Sequence, residues 1–256
     1  MTVGTVFAFL FGLALGSFLN VCIYRIPLKK SIVRPASSCP VCGTGIRFYD
    51  NIPILSYLML LGRCRRCRAR ISLRYPLVEM MIGLLSTLLF MQLGPSLKYL
   101  SLLLFTGALV GIAFIDLEHK IIPDVISLPG VLAGLGFSFL PSAGISPVDA
   151  LIGAVGGGGF LFLVGVLFEK GTGREGMGGG DVKLLAMIGA WMGWKALPFI
   201  VLLSSLSGAV IGVISLLTAK KDMRSRIPFG PFLALGTLGF LFFGDEITLW
   251  FYRLGR

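Results

Sequence analysis

Two sets of residues in this chain are of types that do chemistry. Cys39 with Cys42 and Cys64 with Cys67 form two CxxC pairs, with residues 43–63 between them. Four thiolates in two such pairs can complete the tetrahedral shell of one zinc ion. The other reading of the pairs is a redox motif or unligated thiols. The second set is a pair of carboxylates, Asp116 and Asp181. Asp116 follows the apolar stretch ending in Phe114-Ile115, and Asp181 follows Gly178-Gly179-Gly180. Ionisable groups at membrane depth are costly and point to function. Two carboxylates that meet share a proton, because like charges so close cannot both ionise. One then acts as a base on water while the other, protonated, polarises a peptide carbonyl. That is aspartyl hydrolysis, which needs no nucleophilic side chain and no metal.

Membrane-spanning helices must position these groups. The chain is 55% hydrophobic and 14% charged, with a mean hydropathy of +0.90; soluble domains carry about 25% charged residues. The composition therefore predicts an all-α polytopic membrane protein. A span needs about 20 apolar residues. Eight segments qualify as candidates: 3–22, 76–93, 98–117, 124–140, 147–168, 181–194, 196–218 and 229–252. The sixth is short and runs almost directly into the seventh. The first lacks a basic flank and a cleavage site, so it reads as a retained span and not a signal peptide. Gly12 and Gly16 would let helices approach closely.

Basic residues set the orientation. With the 23–75 loop inside, 19 of the 23 Lys and Arg residues fall in inner loops, which predicts both termini outside. The net charge of +11 is then a membrane signal and not one for nucleic acid. The cysteines lie in the reducing cytosol, which favours zinc over disulfides. Arg63, Arg65, Arg66, Arg68 and Arg70 surround the second pair and are placed to face anionic lipid headgroups.

The inside-facing ends of spans three and six carry Asp116 and Asp181, so both carboxylates are expected at one depth. Gly171, Gly173, Gly176, Gly178, Gly179 and Gly180 make a loop without side-chain bulk, able to pair with an extended peptide. The competing reading is a flexible loop with a capping aspartate. Asp50, Asp149, Glu169, Glu175, Asp222, Asp245 and Glu246 read as solvated, and Asp124 as the N-cap of span four. Cys22 reads as a packing residue and His119 as a surface residue. Glu79, inside the start of span two, needs a partner.

These residues together resemble a family: the type IV prepilin peptidases, or leader peptidase/N-methyltransferases, of the GxGD aspartyl membrane proteases. The likeness covers nearly the whole chain. It rests on Gly16-Ser17-Phe18-Leu19-Asn20-Val21 with Tyr24-Arg25 and Pro27, and on Ser38-Cys39-Pro40-Val41-Cys42 through Asn51-Ile52-Pro53, Ser56-Tyr57 and Gly62-Arg63-Cys64-Arg65-Arg66-Cys67. Arg74-Tyr75-Pro76, Glu79, Asp116 with Ile122-Pro123-Asp124, and Gly178-Gly179-Gly180-Asp181-Val182-Lys183-Leu184 complete it.

The resemblance implies two activities: cleavage of the basic leader of type IV prepilins and type II secretion pseudopilins, and methylation of the new N-terminal amine by S-adenosylmethionine. It makes Asp116 and Asp181 catalytic, Gly178, Gly179 and Gly180 a substrate-binding loop, and the cysteines a structural zinc site. Four thiolates leave the metal no open position. No GxGxxG motif marks a methyl-donor site; Glu79 and Asn51 are polar candidates without an assignment. The implied location is the bacterial inner membrane, with cysteines and aspartates on the cytoplasmic side. The expected domains are a first span (1–22), a tetracysteine domain (23–75) and a peptidase domain (76–256). Glu118, Glu169 and Glu175 are placed to offset the basic inner face where a basic leader must bind.

Three other readings use the same residues. A transporter could relay protons or cations through Asp116 and Asp181, but both lie at one face and no internal repeat is visible. A protease without the transferase, of the kind that processes archaeal flagellins, does not account for the tetracysteine segment. A methyltransferase with a degenerate protease site does not fit the presence of both aspartates.

Overall fold

The computed structural model describes residues 3–173, 178–218 and 228–254. Glu175, Gly176, Asp222 and the basic residues Arg174, Lys220, Lys221, Arg224, Arg226 and Arg256 lie outside the described residues. The chain divides into two compact units, Met1–Gly111 and Ile112–Arg256. The helices are α1 (Val3–Arg25), α2 (Leu55–Met59), α3 (Arg74–Leu93), α4 (Leu97–His119), α5 (Asp124–Phe137), α6 (Pro147–Thr172), α7 (Gly179–Met192), α8 (Leu197–Thr218) and α9 (Gly230–Leu254). The division between the units falls within α4. The described residues contain no β-strand, only the isolated antiparallel bridges Ser38–Gly45 and Arg63–Arg70.

All eight candidate spans form helices, which are all the helices except α2. Five are long and apolar enough to cross a membrane: α1, α3, α4, α6 and Trp194–Ile214. The segments Asp124–Phe137 and Gly230–Gly244 are apolar but shorter. The sixth span is short, as expected. At 14 residues, α7 is about 21 Å long at 1.5 Å per residue, against about 30 Å of hydrocarbon. Its end at Gly193 leads through a 3-10 turn, Trp194–Ala196, straight into α8.

In the first unit, α1 packs against α3 through glycine. A Cβ on Gly12 would lie 2.6 Å from the Ser86 Cβ, and one on Gly16 would lie 2.7 Å from the Glu79 Cα. Small residues let the two backbones meet, and polar bonds then join them. Ser86 Oγ donates to the Ala8 carbonyl at 2.7 Å and pairs with the Tyr99 hydroxyl at 2.8 Å. Asn20 Nδ2 donates to the Tyr75 carbonyl at 3.0 Å.

In the second unit, α7 is enclosed by α5 and α6. Ser146 caps α6 by accepting the Asp149 N–H at 3.0 Å, with Pro147 in the first turn. Gly153 of α6 meets Gly189 of α7 backbone to backbone, with no room for a Cβ on either. Trp191 Nε1 donates to the Gly130 carbonyl of α5 at 2.8 Å, and its ring stacks on Phe137.

These contacts predict that Gly153→Leu destabilises the protein by about 1–3 kcal/mol or more, because the opposing carbonyl cannot move aside as a side chain can. One turn along α6, Gly156 has nothing within 4 Å of a built Cβ. Gly156→Ala should be neutral, or stabilising by up to about 1 kcal/mol through helix propensity. Thermal unfolding in detergent reads both; equal behaviour of the two variants would contradict the packing.

Candidate active site and metal centre

The tetracysteine element is built from one local structure used twice. The Cys39 N–H donates to the Thr44 carbonyl at 2.9 Å, and the Gly43 N–H to the Cys39 carbonyl at 2.8 Å. The second half repeats this: Cys64 N–H to the Ala69 carbonyl at 2.8 Å, and Arg68 N–H to the Cys64 carbonyl at 3.0 Å. The turn needs a positive φ at the residue after the second cysteine. Gly43 supplies it at 68°, and Arg68 adopts it at 59°. Both turns aim their sulfurs at one point. The four Sγ atoms lie within 4.8 Å of one another, and Cys39 and Cys67 are 3.8 Å apart. Thiolates on a tetrahedral zinc, with bonds of about 2.3 Å, stand about 3.8 Å apart. The donor set therefore fits one metal ion.

Proton affinities within the cluster differ. The Thr44 hydroxyl bonded to its sulfur, with help from the Thr44 backbone, brings the Cys42 thiol down to about 6. Backbone hydrogen bonds from Cys67 and Arg66 lower Cys64. A backbone bond at Ala69 pulls Cys67 down as well. Lost hydration and the sulfurs of Cys42, Cys64 and Cys39 outweigh it and push Cys67 up to about 11. A divalent cation removes that conflict by neutralising the thiolates.

Asp50 is not simply solvated, as its sequence setting suggested. It accepts two bonds from Arg65, from Nε at 2.8 Å and from the terminal nitrogen at 2.6 Å. The pair ties the 3-10 turn Phe48–Asn51 to the second cysteine turn, a long-range contact that sequence spacing does not reveal.

In the second unit the two aspartates lie close enough for their charges to interact. Asp116, on the last turns of α4, is only 5% exposed. Its Oδ2 accepts the Gly230 N–H at 3.0 Å. Asp181 sits in the first turn of α7, partly buried, where its charge interacts with that of Asp116. Gly178 is the extended N-cap residue of α7, with no side-chain capping bond at that end. Asp181 therefore does not cap the helix, and its carboxylate has no hydrogen-bond partner among the described residues. Of the three glycines, Gly179 and Gly180 are already helical. Gly180 alone has a packing reason to lack a side chain: a Cβ there would lie 2.9 Å from the Ile122 Cβ.

The sequence reading missed two features. Gly230 opens α9 with its N–H on Asp116, and a Cβ there would come within 2.7 Å of Oδ2. The Gly230-Pro231 pair was the available signal, since proline favours a first helical turn. Lys183 holds the Asp124 carboxylate with bonds of 2.7 and 2.8 Å, clamping α5 to α7. Asp124 is thus the first residue of α5 and an ion-pair partner, while Pro123 takes the N-cap position. His119 is exposed at the end of α4, as expected. Cys22 is buried, as a packing residue should be.

The tetracysteine geometry predicts one bound metal per chain, read by elemental mass spectrometry. Metal binding must displace thiol protons. Affinity should therefore fall with pH below about 11, where Cys67 holds its proton, and more steeply below about 6, where Cys42 regains its own. Cys64→Ser should lower occupancy severalfold; full loading of that variant would contradict a four-thiolate site.

Comparison with known proteins agrees with this geometry. Residues 10–93 match the bacterial peptidase A24 N-terminal domain, and residues 103–213 match the type IV leader peptidase family. The chain is 43% identical to a prepilin leader peptidase/N-methyltransferase of Aeromonas salmonicida, over 95% of this chain and 92% of that protein. It is 41% identical to the protein of that name from Stutzerimonas stutzeri, over 97% and 94% of the two chains. The corresponding Pseudomonas aeruginosa protein is 42% identical, over 93% and 90%. No solved structure matches the chain. With relatives this similar over nearly its whole length, the chain belongs to the type IV leader peptidase family.

Proposed function

We propose that this protein is a bifunctional membrane enzyme. It cleaves the leader from type IV prepilins and type II secretion pseudopilins, then N-methylates the new N-terminus with S-adenosylmethionine. The relatives named prepilin leader peptidase/N-methyltransferase support both halves. The observation that supports the peptidase half is that Asp116 and Asp181, on different helices, lie close enough for their charges to interact.

The residues suggest a direct hydrolysis. The Gly230 N–H orients Asp116 and occupies one of its oxygens, leaving Oδ1 for the reaction. Asp181 is uncommitted. One carboxylate takes a proton from water as the water oxygen attacks the scissile carbonyl carbon. The other, protonated, donates to the carbonyl oxygen. The proton taken from water then passes to the leaving amine as the C–N bond breaks, and the proton on the former carbonyl oxygen returns to the carboxylate that gave it as the C=O bond re-forms. The extended backbone at Gly178, followed by Gly179 and Gly180, offers main-chain pairing to the substrate. Asp124 and Lys183 position the start of α7.

We assign zinc to the tetracysteine site, as a structural ion with no open coordination position. S-adenosylmethionine, when bound, supplies an electrophilic methyl group. In this reading, span 1–22 and the peptidase domain 76–256 flank a cytoplasmic tetracysteine domain, 23–75. The aspartates lie at the cytoplasmic face of the inner membrane and both termini lie outside. Exposed Phe48 and Leu61 beside Arg63, Arg66 and Arg68 suit contact with anionic lipid.

Intact-mass analysis of a prepilin, incubated with detergent-solubilised enzyme and S-adenosylmethionine, tests both halves. Wild type should remove the leader and add one methyl group. Asp181→Ala should leave the prepilin uncut, a rate loss of roughly 10²–10⁴-fold or more. Cleavage by Asp181→Ala at the wild-type rate would refute the aspartyl mechanism, and an unmethylated product would refute the transferase. Gly230→Ala should slow cleavage roughly 10–100-fold by displacing Asp116; an unchanged rate would show that this contact does not position the carboxylate.

A further inference from the structure

The first unit holds a buried carboxylate that the peptidase does not use. Glu79 is 7% exposed, yet no Lys or Arg pairs with it among the described residues. Its Oε2 accepts the Ile54 N–H at 2.8 Å, and α1 packs directly against it, with a Cβ built on Gly16 falling 2.7 Å from the Glu79 Cα. A buried carboxyl group bonded by a neutral donor, with no cation beside it, remains attractive to one.

Ile54 is held in an unusual conformation, with φ 60° and ψ −51°. A branched residue there costs of order 1–3 kcal/mol, and such strain gathers at functional sites. The bond from Glu79 pins this residue at the end of the Asn51-Ile52-Pro53 segment. That segment closes one side of a cavity of about 340 Å³. Small-molecule sites run from about 300 to 1,000 Å³. One face of α1 forms the floor, through Ser17, Phe18 and Arg25; Ser37, Asn51 and Pro53 contribute to the wall. Arg25 spends two N–H groups on the Ser31 and Ala36 carbonyls, which fixes the wall and leaves other guanidinium donors for a ligand.

We propose that this cavity is the binding site of the sulfonium methyl donor, a proposal that rests on the methyl-transfer reading above. The residues around the cavity suit several groups of the donor. Arg25 suits its carboxylate. The Asn51 amide, with a donor and an acceptor side by side, suits the edge of its purine, and the Phe18 ring suits the purine face. Ser17 and Ser37 suit its ribose hydroxyls. Glu79, behind the wall where it holds Ile54 next to the lining residue Pro53, supplies negative potential for the sulfonium. Removal of the methyl group leaves a neutral thioether, which gains nothing from that potential, so the same carboxylate favours exchange of spent for fresh donor.

Equilibrium dialysis on the full-length, metal-loaded protein in detergent separates these claims, with radiolabelled S-adenosylmethionine and S-adenosylhomocysteine as probes. Glu79→Gln keeps the shape and the acceptor for Ile54 while removing the charge. It should weaken binding of the sulfonium compound roughly tenfold and leave the thioether within about twofold. Ser17→Leu, which fills the cavity, should block both compounds, with its thermal unfolding followed alongside. Ultraviolet crosslinking of the labelled donor to wild type needs no variant, and should mark α1 or the Asn51–Ile54 segment. A label elsewhere, or variants that bind both compounds as wild type does, would overturn the cavity assignment alone. Wild-type protein that binds neither compound would overturn the methyl-transfer reading itself.

Discussion

The second unit depends on one constraint: α7 is too short to cross a bilayer and must be held by its neighbours. Its 14 residues span about two thirds of the hydrocarbon thickness. Its first turn carries Asp181. Contact between Gly153 and Gly189 fixes the depth of α7 against α6, and Lys183 fixes its start against Asp124 of α5. So held, α7 keeps Asp181 partly buried and in range of Asp116, where two carboxylates cannot both hold a charge comfortably.

The first unit applies close packing to a different end. Gly12 and Gly16 bring α1 onto α3, and that approach puts Ser17 beside Glu79. The tetracysteine element, folded as two copies of one turn, fixes where the intervening residues 43–63 can run. Within that stretch Asp50 binds Arg65 and Ile54 binds Glu79. The tetracysteine element can therefore shape more than its own turns, by holding the segment that walls the cavity over α1.

Much of this was legible in the sequence because it is local or scarce. CxxC spacing shows without an alignment, and in a chain with only 12 acidic residues each carboxylate can be weighed singly. Apolar runs marked every described α-helix except α2, including the short α7. What stayed hidden depends on approach between distant segments. Gly230 lies 114 residues from the carboxylate it orients, and Lys183 lies 59 from Asp124. Asp124 looked like a capping residue because Asp commonly caps helices, yet Pro123 holds that position. Strain at Ile54 has no sequence signal, since isoleucine is disfavoured at a positive φ.

The central claim is that Asp116 and Asp181 act as one unit. The most direct measurement is a double-mutant cycle on kcat/KM for prepilin cleavage, using Asp116→Asn, Asp181→Asn and the double variant. Residues that act together are strongly non-additive. The account predicts that either single change costs about as much as both together. Losses that multiply in the double variant, or a single variant with near wild-type cleavage, would contradict it.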